Sequence, residues 1–320
     1  MRSSVANRHS PAGKTAPAST GKRDWLVPLS CLLSGGALLG LSTNLAKLAG
    51  EARLPPLALL CWSTVGAAAI LMFVAAVRRD LPPVNVRTLE YYAVSALVGV
   101  AGSNLIFVSA IPKVGAGFVA LIISLPPMLT YLGALALRME RFQASRAAGV
   151  AAAMAGVGVL AARKFSAPDA DGFWILLTLA GPVLLAIGNL YRTRRWPEGV
   201  SADALAPGML IAAAVMLLAA GFLPGFSLAV PFDRSLPLVL IGSHAVVSAA
   251  MFLLLFVLQK TGGPVLLSLL GSVGALVGVP VAIFLQGEAP PEGLFLGAAL
   301  IATGVALLTL GHSNKRPGGA

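Results

Sequence analysis

Glu140 and Glu288 stand 148 residues apart, and each closes a long apolar run and opens the same downstream pattern. After Glu140 come Gly149, Gly156-Val157 and Leu160; after Glu288, at the same offset, come Gly297, Gly304-Val305 and Leu308. Upstream the register holds through Gly115/Gly263, Leu121/Leu269, Ser124/Ser272, Ala134/Ala282 and Leu137/Leu285. A second match, Asn44-Leu45-Ala46-Lys47 with Asn189-Leu190-Tyr191-Arg192, comes at an offset of 145, so loop lengths differ slightly between copies. A chain rich in Ala, Leu and Gly matches itself by chance, so the weight falls on the aligned glutamates and the equal glycine spacing behind them. The chain reads as one module written twice. Each copy holds five apolar runs, and an odd number of spans forces the second copy to enter a bilayer upside down. Inverted repeats of this kind belong to transporters, whose halves rock around a site between them.

The composition fixes the solvent. Hydrophobic residues make up 57% of the 320 positions and charged residues 11%, with mean hydropathy +0.87. A soluble surface needs far more charge. Ten stretches approach the ~20 residues that cross a hydrocarbon core: 26–47, 57–78, 91–111, 115–137, 146–163, 172–191, 204–223, 236–257, 264–286 and 293–310. Pro55-Pro56, Pro82-Pro83 and Pro290-Pro291 punctuate the connections. The expected fold is all-α and polytopic, with ten spans in two inverted repeats at 25–163 and 172–311, a linker at 164–171, and tails at 1–24 and 312–320. The first tail, polar and basic, reads as disordered and cytoplasmic. A cleaved signal peptide is the alternative, but the apolar run after Trp25 is too long for one. Cys31 and Cys61 fall inside spans and read as small packing residues.

The net charge of +11 invites a nucleic-acid reading. The distribution opposes it, because the basic residues gather in short loops between apolar runs. With a cytoplasmic N-terminus, 17 Lys and Arg fall on the inner side, among them Arg78, Arg87, Arg138, Arg192, Arg194 and Arg195. Only Arg53, Lys113, Arg163, Lys164 and Arg234 fall outside. That bias orients the chain in an inner (plasma) membrane with both termini inside.

These residues resemble the EamA-type drug/metabolite transporter superfamily over nearly the whole chain, from Trp25 to Gly311. Pro126, then Leu137-x-x-Glu140, Gly149 and Gly156-Val157 are similar to the family's most recurrent stretch. Asn44-Leu45-Ala46-Lys47 sits where the family often ends its first span with a small polar residue and Ala-Lys. Two positions depart: Trp62 stands where an Arg is common, and Gly274 where a proline would mirror Pro126. The resemblance implies ten helices, with a central cavity formed mainly by spans one, three, four, six, eight and nine, and spans five and ten peripheral. It also makes export the commoner direction.

Polar groups inside hydrocarbon are costly and so mark function by default, although Ser, Thr and Asn also serve as glue between helices. Asn44, Asn104, Pro126, Asn189, His244 and Gly274 are the expected lining of a mid-membrane cavity. Pro126-Pro127 interrupts the fourth span, and Gly271, Gly274, Gly278 and Pro280 loosen the ninth. His244 is either a group that binds a carboxylate or couples protons, or a satisfied packing histidine. Lys47 either snorkels to the interface or faces the cavity as a charge-recognition or coupling group. Glu140 and Glu288 lie at span ends and read as structural. Gly149/Gly156 and Gly297/Gly304 each lie on one helix face and read as packing surfaces.

No Asp or Glu lies in mid-span, which weakens carboxylate-based proton coupling. The chain lacks a His-Glu-x-x-His motif, a nucleotide-binding loop and a metal cluster, and no cofactor is expected. A secondary transporter of a small organic metabolite, such as an amino acid, is the leading reading. A membrane-embedded enzyme would need convergent catalytic groups, and a receptor or scaffold would need large extramembrane parts. The expected partners are the lipid bilayer and a small solute, with no nucleic acid; a monomer is plausible.

Overall fold

The computed structural model describes residues 26–139, 141–166, 171–231, 235–290 and 292–313. Of 262–266, 268 and 308–313 only the backbone is described. Glu140, the chain before Leu26 and the chain after Ser313 lie outside the described residues. Those residues contain helices and no strands.

Helix α1 (Leu26–Glu51) is followed by α2 (Pro56–Val77), α3 (Val86–Val114) and α4 (Ala116–Ala136), then by α5 (Ala144–Phe165). The second half runs through α6 (Gly172–Arg194), α7 (Ala202–Ala220), α8 (Ser235–Ser268), α9 (Leu270–Leu285) and α10 (Leu294–Ser313). Local chemistry sets the starts. Pro55 and Pro56 open α2, where a missing N–H costs nothing. Asn85 and Thr88 form a reciprocal capping box on α3. Asp171 caps α6 and Ser201 caps α7, each accepting from the backbone N–H three residues on.

Eight described helices are long and apolar enough to cross a membrane. The apolar stretches of α9 and α10, Leu270–Leu285 and Leu294–Leu307, are shorter. The sequence places a ninth span at 264–286, but α8 continues unbroken to Ser268 and takes its first turn. What remains as α9 is about 24 Å long, against a ~30 Å hydrocarbon core.

Helix directions follow from the contacts. Along α1 and α9, Gly36 meets Val273 and Gly40 meets Gly278, so the two run parallel. Helix α8 runs against α1, with Leu254 beside Gly35 and His244 beside Ser42. Helices α3 and α6 are antiparallel, with Gly102 at Leu184 and Phe107 at Gly181. The α1–α9 contact is close because glycines form it: a Cβ on Gly40 would lie 2.5 Å from the Gly274 carbonyl oxygen. Helices α5 and α10 pack chiefly on each other, away from the centre. In that pair Gly156 approaches the Gly297 carbonyl, and Gly304 approaches the Gly149 carbonyl. The two approaches are related by the 148-residue offset.

Two helices are broken where they face the centre. Helix α4 divides at residues 123–125, just before Pro126-Pro127, into Ala116–Ile122 and Pro126–Ala136. Helix α3 contains a π turn at Leu97–Ala101. Around the bundle, large apolar side chains face outward; Phe284 is 82% and Phe295 87% exposed, as lipid-facing residues should be.

Candidate functional site

A cavity sits between the two halves of the chain, with one wall from each of six helices. Leu39 of α1, Asn104 of α3, Pro126 of α4, Asn189 of α6, Phe252 of α8 and Gly271 of α9 all face it. These are the six helices that the family resemblance implied. The volume is about 70 Å³. A water needs some 10–15 Å³ by this measure, so the cavity has room for a few small atoms.

Asn104, Pro126 and Asn189 are thus brought together as expected. The remaining three expected residues are placed elsewhere. Asn44 is buried between helices, where its amide donates to the carbonyls of Gly40 (2.8 Å) and Gly278 (3.0 Å) and ties α1 to α9. Gly274 is spent on the close α1–α9 contact, against the Gly36 carbonyl and Leu39. The broken part of α4 is met by Gly271 and Ser272: a Cβ on Gly271 would lie 1.9 Å from the Ile123 carbonyl oxygen, and Ser272 Oγ donates to the Ser124 carbonyl at 3.4 Å. His244 is enclosed by hydroxyls. One ring nitrogen lies 2.9 Å from Ser42 Oγ; the other lies 2.9 Å from Ser63 Oγ and 3.4 Å from Ser248 Oγ. It joins α1, α2 and α8 and does not line this cavity.

The charged group in the cavity wall is one that sequence reasoning assigned to a loop. Arg192 is 2% exposed, because α6 runs on to Arg194 and keeps Arg192 within the bundle. Its Nε donates to Gln259 Oε1 (3.2 Å) and its Nη2 to Asn189 Oδ1 (2.7 Å). Both acceptors are neutral. Its Nη1 lies against Gly99, where a Cβ would be 2.2 Å away, and near Gly188, where one would be 3.3 Å away. Gly99 belongs to the π turn of α3 and lines the same cavity. The signal was present in the repeated motif: Arg192 occupies the place in the second copy that Lys47 holds in the first.

Lys47 itself faces the far end of the bundle. Its Nζ lies 3.3 Å from Glu288 Oε2, and both side chains are mostly buried. Glu288 also accepts from the backbone N–H groups of Ala116 (3.1 Å) and Gly117 (3.0 Å), so it caps the start of α4. Gly115 makes the approach possible: its φ of 91° is one that glycine adopts freely, and a Cβ there would strike the carboxylate. A recess of about 490 Å³ opens beside this cluster, with Lys113 and Lys164 on its walls. At the opposite, basic end, a second recess of about 180 Å³ is lined by Arg87, Arg194, Arg195, Tyr91 and Tyr191. Tyr91 stacks on Tyr191 at 6.1 Å, and its buried hydroxyl has no partner among the described residues.

Comparison with known proteins agrees with this architecture. One of 26 matching solved chains, titled only "Crystal structure of protein", is 20% identical, superposes with a TM-score of 0.62, and covers 90% of this chain and 97% of its own; the likeness is one of fold. A search of curated proteins finds no match. Residues 27–162 match the EamA-like transporter family. The match covers the first half, so that half of this chain of apolar helices is similar to an EamA-like transporter module.

Proposed function

We propose that the chain is a secondary transporter, and specifically an exporter, of a small organic metabolite such as an amino acid. It works by alternating access between two inverted five-helix repeats, residues 25–163 and 172–311. The observation that carries this reading is the cavity itself: α1, α3 and α4 supply one side, and α6, α8 and α9 the other. A site bounded by both halves is what rocking halves require. Two contacts support the inverted relation. Ser124 and Ser272, one repeat offset apart, touch each other. The Gly156–Gly297 approach is mirrored by Gly304–Gly149. Contacts of this reciprocal kind arise when two copies are related by a two-fold axis.

The membrane is the inner one and both termini are cytoplasmic, on the strength of the 17-to-5 distribution of Lys and Arg. The purified protein is to be heated with a panel of metabolites, because a ligand of the native state raises the melting temperature. Ligands found in this way are then tested for counterflow in proteoliposomes. A stabilising ligand that exchanges across the bilayer is the expected result; a panel with neither stabilisation nor counterflow defeats the reading. Cysteines placed at Asp233 and Ala320, both outside the described residues, test the topology: Asp233 should label from outside and Ala320 from inside.

A further inference from the structure

We propose that Arg192 is the anion-binding residue of the cavity, and that the transported solute presents to it a single carboxylate on an apolar body, without a free ammonium group. This rests on the reading of the cavity as a site for a small organic metabolite, and within that class it replaces the amino acid given as the example by a monocarboxylate.

A buried guanidinium is stable only when its charge and its five donors are answered. Arg192 has two answers, Gln259 and Asn189, and both are neutral. No carboxylate lies within ion-pair distance of it among the described residues. Nη1 accounts for two further donors, and it sits on the cavity wall in a space that Gly99 and Gly188 leave open. Asn104, on the same wall, makes no side-chain hydrogen bond among the described residues either. A planar guanidinium with free donors is matched by a carboxylate, which takes two parallel N–H bonds from it.

The rest of the wall sets the rest of the ligand. Leu39, Phe107, Met251, Phe252 and Leu255 are apolar, and Arg192 is the one charged residue among those that line the cavity. One positive charge neutralises one negative charge, so a dianion would be left uncompensated. An ammonium would find no acidic partner here and would face Arg192 across an apolar space, at a large cost in desolvation.

The full chain in lipid nanodiscs is to be tested with three probes of one shape: 4-methylpentanoate, its neutral amide, and leucine. Longer and aromatic monocarboxylates follow, each beside its amide. At least one carboxylate should raise the melting temperature and bind at least tenfold tighter than its amide, and tighter than the corresponding amino acid. Arg192→Gln should abolish that difference, and Arg192→Lys should restore part of it. Arg192→Gln should also leave the unliganded protein as stable as wild type or more so, because it removes an uncompensated buried charge; a structural arginine would give a loss. Gly99→Ala, which crowds Nη1 without removing the charge, should weaken the carboxylate tenfold or more. Glu140→Gln is the control for a hidden ion pair: any loss it causes should persist in the Arg192→Gln background, and a loss that Arg192→Gln reverses would make Arg192 a structural partner and overturn the proposal. Equal binding of carboxylates and amides, or carboxylate binding indifferent to Arg192→Gln, would also overturn it. If counterflow of some neutral or zwitterionic solute survives Arg192→Gln, the transporter reading stands and this inference alone fails.

Discussion

Lys47 and Arg192 end the same four-residue motif, in α1 and in α6, and they meet opposite fates. Lys47 finds Glu288 at 3.3 Å, and that carboxylate is also held by two backbone N–H groups at the start of α4. Among the described residues Arg192 finds only the amide oxygens of Gln259 and Asn189. The preceding asparagines differ in the same way. Asn44 turns to backbone carbonyls and joins α1 to α9, whereas Asn189 turns to its own arginine and faces the cavity. A repeated motif therefore specifies a location in the bundle without specifying a role. The role is set by whether the neighbouring helix brings a countercharge. Lys47 has its charge answered by its own chain, whereas Arg192 lines the cavity with no carboxylate partner among the described residues.

The comparison breaks most sharply at Glu288. Glu288→Ala removes the partner of a mostly buried ammonium and uncaps two backbone donors at once. Losing one partner of a buried pair costs more than the pair contributes, because the other is left unanswered. With both side chains partly reached by water, a loss of about 2–3 kcal/mol is expected. Thermal unfolding in nanodiscs measures it. Glu288→Gln, which keeps one acceptor for the N–H groups, should lose about half as much. A change in Glu288→Ala no larger than in an exposed lipid-facing control would mean that the two ends do not differ in the way described.

A smaller effect is expected at His244, the other polar cluster within the bundle. Three serines answer its two ring nitrogens, so its hydrogen-bonding capacity is met without any solute. This is the signature of a packing residue. Hydrogen bonds between membrane helices average about 0.6 kcal/mol each, so His244→Ala should cost about 1–2 kcal/mol. Counterflow per folded molecule should stay within about twofold of wild type, because His244 does not line the cavity. A tenfold loss of counterflow with unchanged stability would return His244 to the solute site.

Much of this arrangement could be read from the chain. The apolar runs predicted ten spans; eight described helices are long and apolar enough to cross a membrane and two are shorter, because burial in lipid requires long apolar helices whatever their packing. Pro126 and Asn104 were legible because a broken helix and a mid-span amide are costly unless they serve the interior. Gly274 and His244 looked the same in sequence, yet neighbours on α1, α2 and α8 had already taken them, and Asn44 gives its amide N–H groups to the Gly40 and Gly278 carbonyls while its buried Oδ1 has no partner among the described residues. Which helix supplies a carbonyl or a serine is a tertiary fact and leaves no local mark. Arg192 was hidden for a different reason. Counting it with Arg194 and Arg195 as a loop cluster ignored that α6 continues past it, and helix ends are where periodicity is weakest. The start of α9 at Leu270 was hidden as well, since a Lys-Thr-Gly-Gly-Pro stretch reads as a turn although α8 runs through it.

The smallest expected effect lies where the two halves touch. Ser272 Oγ donates to the Ser124 carbonyl at 3.4 Å, a long and neutral bond at the centre of the repeat relation. Ser272 is only partly buried, so Ser272→Ala leaves the carbonyl with room to relax and removes little apolar contact. A change of no more than about 0.5 kcal/mol is expected. The close approach at this point belongs to its neighbour Gly271, packed against the Ile123 carbonyl, and the methyl of an alanine at 272 does not disturb it. Counterflow should likewise be unaltered, because the rocking of two halves needs a smooth contact here more than a bonded one. Thermal unfolding and counterflow of Ser272→Ala beside wild type measure both quantities. A loss above about 1.5 kcal/mol, or a tenfold change in counterflow, would show that the halves are joined at their axis by this hydrogen bond. The difference between the two ends of the molecule would then rest on the centre rather than on Lys47, Glu288 and Arg192.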